Sequence, residues 1–383
     1  MKTFLLSTIL VTSSLSALAQ DKPQLNGAHQ SIKLETQQVI AKGNKFLLSQ
    51  QNEKGYWGDP KLPAFTGFAL KCLLLDPAYD PKSPVPAPVQ KGLDWLLSQQ
   101  KEDGGIYGKG MATYSTSAAI MTLWVAGPDK YEEQIIKARN FLINHQTDWG
   151  VKGEYDTKFD GGIGYGGSVT NSDLSNTHRA MEALYTTRSL ATDSGNKKAM
   201  ELDWEAALAF VSRCQNLQAT NKSEKAGNDG SFVYYPDNSK AGEAVDSKTG
   251  RVALRGYGSM SYSGLLSLVF SDLDESDQRV KAVINWLSDN YTLEENPGLG
   301  GQGLYYYYHV MSKSLIAANK PTLNSKDGLK IDWRSDLATA VINGQREDGS
   351  WINTKASRWM ENDPILVTSY AVMTLEKIHS SLN

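Results

Sequence analysis

Apolar residues recur at helical spacing in a run ending Lys42-Gly43-Asn44-Lys45-Phe46-Leu47-Leu48-Ser49-Gln50-Gln51, followed by Asn52-Glu53-Lys54-Gly55-Tyr56-Trp57. This pattern predicts an amphipathic helix, a tight glycine turn and an aromatic plug. The string returns at Lys91-Gly92…Trp95-Leu96-Leu97…Gln100…Gly104 and at Lys137-Ala138…Phe141-Leu142-Ile143…Gln146…Gly150. A worn copy is Phe210-Val211…Gln215, and the last clear one is Val341-Ile342…Gln345…Gly349-Ser350-Trp351. The interval between Gln215 and Gln345 has room for one more unit. Asn285-Trp286-Leu287-Ser288 fills it, with Tyr291 in the glutamine's place. Internal repetition of this kind sets the fold before any other feature is weighed.

Each unit has a second, smaller and more apolar half. It carries a hydroxyl residue and a small residue three positions later: Thr66…Ala69, Thr116…Ala119, Thr177…Ala180, Ser261…Gly264 and Thr368…Ala371, while the fifth unit keeps only Tyr308-His309-Val310-Met311-Ser312. A hydroxyl at a helix start can cap free backbone N–H groups, and the small residue lets helices approach. Each unit is thus an outer helix, a glycine loop and an inner helix. Six such pairs predict an all-α chain folded as an α6/α6 toroid, a double ring with long Gly-rich loops on one rim.

Met1-Lys2-Thr3, the apolar run Phe4 to Leu15 and Ala17-Leu18-Ala19 read as a secretory signal peptide over residues 1–19. The expected product is one toroid domain over 20–383, exported to the periplasm or beyond. No cysteine follows the cleavage site, so a lipid anchor is not indicated, and no other run approaches the ~18 apolar residues of a membrane helix. The formal net charge is −3 with 21% charged residues. That near-neutral balance argues against a nucleic-acid partner and offers no basic face to an anionic membrane. Cys72 and Cys214 fall on opposite sides of the expected ring and read as buried free thiols.

The string Lys-Gly-x-x-aromatic-Leu-Leu-x-x-Gln…Gly-x-Trp resembles the repeat of squalene–hopene cyclases and protein prenyltransferase β subunits. Gln51-x-x-x-Gly55-x-Trp57 and Gln345-x-x-x-Gly349-x-Trp351 match it in full; Gln100 and Gln146 match without the Trp. The resemblance runs from about Lys42 to Leu375, and the C-terminal half looks like a secreted bacterial group carrying this repeat. It implies that Gln and Trp tie one outer helix to the next, a role suited to an amide that both donates and accepts.

The catalytic motifs of these families are altered here. Squalene–hopene cyclases open an inner helix with Asp-x-Asp-Asp-Thr-Ala, whose middle Asp protonates the polyene. The matching run is Asp173-Leu174-Ser175-Asn176-Thr177-His178. Ser175 stands at the proton-donating position, and a hydroxyl is too weak an acid for an alkene. Asp363, in Asn362-Asp363-Pro364, opens the sixth inner helix as either a second acid or a cap with Pro in the first turn. The Asp-x-Cys zinc pair of prenyltransferases and the Gly-Cys-Gly-Glu-Gln thioester of complement-type relatives are absent. His178 and His309 fall on inner helices and could join Asp173 at a site or sit as satisfied wall residues. No metal and no cofactor is indicated.

Long loops enlarge units three and four: Asp160-Gly161-Gly162-Ile163-Gly164-Tyr165-Gly166-Gly167 and the insert from Gln218 to Gly258. Tyr305-Tyr306-Tyr307-Tyr308-His309 adds four consecutive rings. A helix turns each residue by ~100°, so at least one ring must face the lumen and one the outer helices. The expected site is therefore the lumen mouth, with Asp173, His178 and Asp363 as the reactive groups. Tyr165, Tyr262, Tyr308, His309, Arg358 and Trp359 are the expected ligand contacts, with Tyr257, Arg179 and Lys313 nearby. Three functions stand: a terpene-cyclase-like monomer that binds or acts on a small lipid or isoprenoid without the cyclase acid, a glycan-binding or glycan-processing toroid using Asp160 with Asp173, or a non-catalytic binding scaffold.

Overall fold

The computed structural model describes residues 27–166, 169–192, 199–245 and 250–382. The expected signal peptide and its cleavage site lie outside them. Twelve helices build the ring: α1 Gly27–Ser49, α2 Ala64–Leu75, α3 Ala87–Leu97, α4 Ala112–Ala126, α5 Glu132–Ile143, α6 Leu174–Thr186, α7 Trp204–Arg213, α8 Gly258–Phe270, α9 Gln278–Asp289, α10 Leu304–Ala317, α11 Trp333–Asn343 and α12 Pro364–Ser381. Even-numbered helices pack in sequence, α2 on α4 through to α10 on α12, and α12 returns to α2. They form a closed inner ring. Odd-numbered helices lie outside it, and α1 closes the outer ring against α11 and α12. The fold is the all-α double ring that the repeat predicts.

The two rings differ as their sequences require. Inner helix α2 is buried at every position from Ala64 to Leu74, as expected of a helix that is apolar all round. Outer helix α3 buries only the stripe Val89, Gly92, Leu93 and Leu96. Antiparallel hairpins Gly164–Gly166 with Val169–Ser172, and Glu243–Val245 with Val252–Leu254, decorate the rim where inner helices begin. Cys72 and Cys214 are free and buried.

The repeated glutamine is the clasp between units. Gln51 Nε2 donates to the carbonyl of its own Gly55 at 2.9 Å and to Pro88 in the next outer helix at 2.8 Å. Gln100 does the same with Gly104 and Gln134, Gln146 with Gly161 and Asp203, and Gln215 with Gly230 and Arg279. Gln345 closes the ring, reaching Gly349 and, across the seam, Val39 of α1. In the fifth unit the Tyr291 hydroxyl donates instead to Asp336 of α11 at 3.4 Å. Gly349 has φ +89°, and a Cβ there would stand 2.6 Å from the Lys42 carbonyl. Glycine is required at this seam by both conformation and space.

The plug is matched in size to the helix it meets. Trp57 lies against Gly92 and Trp351 against Gly43; a Cβ at these glycines would come within 2.8 and 3.0 Å of the respective indoles. At the matching repeat positions the second unit has the smaller Ile106 as plug and Ala138 in the next outer helix. One sequence expectation is corrected. The recurring hydroxyl does not cap its helix start. Its oxygen accepts the N–H of the plug residue, Thr66 from Trp57, Thr116 from Ile106, Thr177 from Ile163, Ser261 from Phe232 and Thr368 from Trp351. Among the inner helices Asp173 caps α6 and Asp363 caps α12, while α2, α4 and α8 begin without a side-chain cap; Asp203, Asp277 and Asp332 cap the outer helices α7, α9 and α11.

Candidate functional site

A cavity of about 120 Å³ occupies the lumen beneath the loop rim. Inner helices supply Tyr114 from α4, Ser175 and Arg179 from α6, Ser259 and Met260 from α8, Tyr306 from α10 and Tyr370 from α12. The long loops close it with Met111, Tyr165, Tyr234, Tyr257, Trp359, Met360 and Glu361. Tyr234 donates to the Tyr165 hydroxyl at 3.1 Å, and the Tyr114 and Tyr370 hydroxyls share a hydrogen bond at 2.7 Å.

Arg179 sits at the floor, only 7% exposed. Its guanidinium lies 4.4 Å from the Tyr114 ring centre, 5.0 Å from Tyr306 and 5.8 Å from Phe68. Rings in this position attract the cation through their faces. Nε is buried without a hydrogen-bond partner.

Three loop residues of the wall hold strained backbone. Met111 has φ 48°, Trp359 φ 58° and Met360 φ 64°. The left-handed region costs an L-residue roughly 1–2 kcal/mol, and such strain gathers at ligand clamps and switch segments.

Of the four consecutive tyrosines, only Tyr306 reaches the lumen cavity. The Tyr307 hydroxyl donates to the Thr292 carbonyl at 2.9 Å and Tyr308 donates to Leu293, both outside the inner ring. Both facing directions were expected, but Tyr308 is two helical steps from the residue that faces in. Tyr262 is fully buried against Tyr307, its ring centre 5.6 Å away, and does not line the cavity. Tyr165 and Trp359 do line it. Arg358 stacks on Trp359 and donates to the Gln302 side chain at 2.7 Å, on the rim.

The expected reactive groups are committed elsewhere. Asp173 caps α6: one oxygen accepts the Asn176 N–H at 2.9 Å and the other accepts Asn176 Nδ2 at 2.8 Å. Asp363 caps α12 by accepting from Ile365 and Leu366. Asp160 spends its oxygens on Trp149 and Thr157 within its own loop. His178 bonds the Leu174 carbonyl at 3.2 Å, and His309 stacks on Tyr370. Burial pushes both imidazoles well below their ordinary value, so both are neutral. Among the described residues no three His, Cys, Asp or Glu side chains come together as metal ligands.

Below Arg179 the lumen holds a charged cluster that no sequence motif announces, Lys71, Glu182 and Lys313, with the neutral His309 beside it. Lys313 and Glu182 form a buried ion pair, with side chains 6% and 12% exposed.

Burial pushes the Asp173 carboxyl up to about 6, against the Asn176 bonds and the Tyr234 hydroxyl that pull it down. Its folded value is therefore above the unfolded ~3.9. Its contribution to stability is complete below pH ~4 and is lost as pH rises through about 6. Asparagine caps helices as well as aspartate does. Asp173→Asn is therefore expected to keep the helix and to remove this fall. Melting curves of both proteins from pH 3.5 to 7.5 measure it; parallel curves would contradict the buried-cap assignment.

No family model matches the chain, and no curated protein matches it in sequence. Solved structures do. The type II terpene cyclase MstE from Scytonema, in its apo form, superposes with a TM-score of 0.52 at 14% identity, covering 91% of this chain and 99% of that one. A single-residue variant of that cyclase, solved in complex with the substrate geranylgeranyl dihydroxybenzoate, gives 0.51 at 14% identity over 92% and 99%. A possible member of the GH105 family from Salmonella enterica serovar Paratyphi A gives 0.51 at 10% identity over 97% and 100%. The chain shares a terpene-cyclase-like α/α toroid fold with them. Among the described residues no helix is long and apolar enough to cross a membrane.

Proposed function

We propose that the upper lumen binds a compact ligand, or the head of a lipid or isoprenoid-type ligand, and holds it without cyclising it. The observation that carries this reading is a cavity walled by tyrosine, methionine and serine with no carboxylate free to donate a proton. Glu361, the carboxylate in the wall, accepts from the N–H groups of Tyr305 and Tyr306 and from Asn353. Burial pushes its pKa up, which makes it a weaker acid still. Ser175 occupies the place where the resembling cyclases carry their acid. Size argues the same way. A cavity of about 150 Å³ holds one benzene ring, so 120 Å³ does not enclose a squalene chain.

The glycan-processing alternative needs two working carboxylates, and Asp160 and Asp173 are both tied into loop and cap hydrogen bonds. Incubation of the pure protein with squalene is expected to give no cyclic triterpene. Organic extracts of the protein, read by mass spectrometry, are expected to contain a bound apolar small molecule. A cyclic product would overturn the first half of the reading. Extracts matching those of an unrelated protein, with no calorimetric response to one-ring or isoprenoid probes, would overturn the second.

A further inference from the structure

We propose that Arg179 is the receptor for a single carboxylate, and that the upper lumen takes a flat, one-ring carboxylic acid of the benzoate type. This deepens the binding reading above and rests on it.

The inference begins with an imbalance. An arginine cannot shed its charge, and burying a charge without a partner is costly. Arg179 is nonetheless buried, and among the described residues no hydrogen bond or ion pair reaches it. Glu182, one turn further along α6, is taken by Lys313. The rings of Tyr114 and Tyr306 cover the guanidinium's π system but accept none of its N–H groups. Those donors lie in the guanidinium plane and suit an acceptor of matching fork geometry. A carboxylate is that acceptor.

The surroundings choose among anions. The Glu361 carboxylate in the same wall is already held by the Tyr305 and Tyr306 N–H groups and by Asn353, which leaves Arg179, among the described residues, as the one cation of the lining without a partner. It balances one negative charge, and a phosphate or sulfate dianion would be left half neutralised. Ser175, four residues before Arg179 on the same face of α6, and Ser259 add hydroxyl donors at the starts of two inner helices, where backbone dipoles also favour negative charge. Above the donors the wall is rings and thioethers: Tyr257, Met260, Met360 and Trp359. A charged end below and a flat apolar body above describe an aryl carboxylate. The volume limits that body to about one ring.

The test is isothermal calorimetry with benzoate, the neutral isostere benzamide, and inorganic sulfate. Wild-type protein is expected to bind benzoate and to bind benzamide and sulfate at least about tenfold more weakly. Arg179→Met, shown folded by circular dichroism, is expected to lose benzoate binding by a similar factor. Ser175→Asp is the second variant, because it places a carboxylate one turn before Arg179. It is expected to fold and to block benzoate by occupying the guanidinium itself. Benzamide binding as tightly as benzoate would overturn the carboxylate receptor and leave the apolar-ligand reading standing. So would unchanged benzoate affinity in either folded variant. Preference for sulfate would overturn the choice of anion. Failure of benzoate, benzamide and isoprenoid alcohols alike would remove both readings together.

Discussion

Trp351→Ala is expected to lower the unfolding free energy by about 3–5 kcal/mol, the cost of truncating a buried aromatic of this size. The indole is fully buried, and its Nε1 donates to the Val341 carbonyl at 2.7 Å. It fills the space above Gly43 at the seam where the last unit meets the first. Alanine leaves a void there that α1 cannot fill, because Gly43 has no side chain to offer. The sequence carries its own remedy. In the second unit Ile106 holds the plug position and Ala138 the position matching Gly43, so Trp351→Ile with Gly43→Ala transfers that pair of residues to the seam. The cycle is made in a Val372→Ala background, because a Cβ at Gly43 would stand 2.6 Å from Val372 Cγ2 as well as 3.0 Å from the indole. Trp351→Ile is expected to be less stable than this double variant, with a positive coupling of the kind adjacent residues show. Chemical denaturation of the four proteins of the cycle measures it. Additive single effects would mean that plug and glycine do not act together.

Glu182→Gln is expected to cost about 3–5 kcal/mol near neutral pH, because it leaves buried cations without their counter-charge. Burial pushes Glu182 up, but Lys313 and Lys71 outweigh it and hold the carboxyl at about 2. Lys313 is pressed down to about 8, first by burial and then, against Glu182's pull, by Lys71 and Arg179. Without Glu182 the Lys313 amine would fall further below its unfolded ~10.4. The unfolded chain then binds more protons across that interval, so stability rises with pH there. The wild-type amine, at about 8, gives the same rise above that pH, so the penalty is larger at pH 7 than at pH 10 and falls only up to about pH 8. Lys313→Met should cost distinctly less, since Lys71 and Arg179 still face Glu182. Denaturation at pH 7 and pH 10 distinguishes the cases. Equal penalties at both pH values, or a larger loss from Lys313→Met, would contradict the cationic excess in the lumen.

What the sequence by itself determined is whatever repeats. Gln51, Gln100, Gln146, Gln215 and Gln345 make the same two kinds of hydrogen bond, one to the glycine of their own turn and one to the next outer helix. Gly43 and Gly92 reveal their partners because a tryptophan plug needs an absent side chain. These are local or periodic constraints, and one chain displays them several times. The cavity repeats nothing. Tyr306 faces the lumen and Tyr308 does not, because the angular phase of α10 is set by packing and each helical step swings a side chain by ~100°. Asp173 and Asp363 have the composition of acids but serve as caps, since each accepts backbone N–H groups of the first turn of its own helix and Asp173 also accepts the Asn176 side-chain amide. Arg179 carries no local signature. Its position becomes informative only when closure of the ring brings Tyr114, Tyr306 and Phe68 around it from three other helices and leaves it lining the lumen cavity without a hydrogen-bond partner among the described residues.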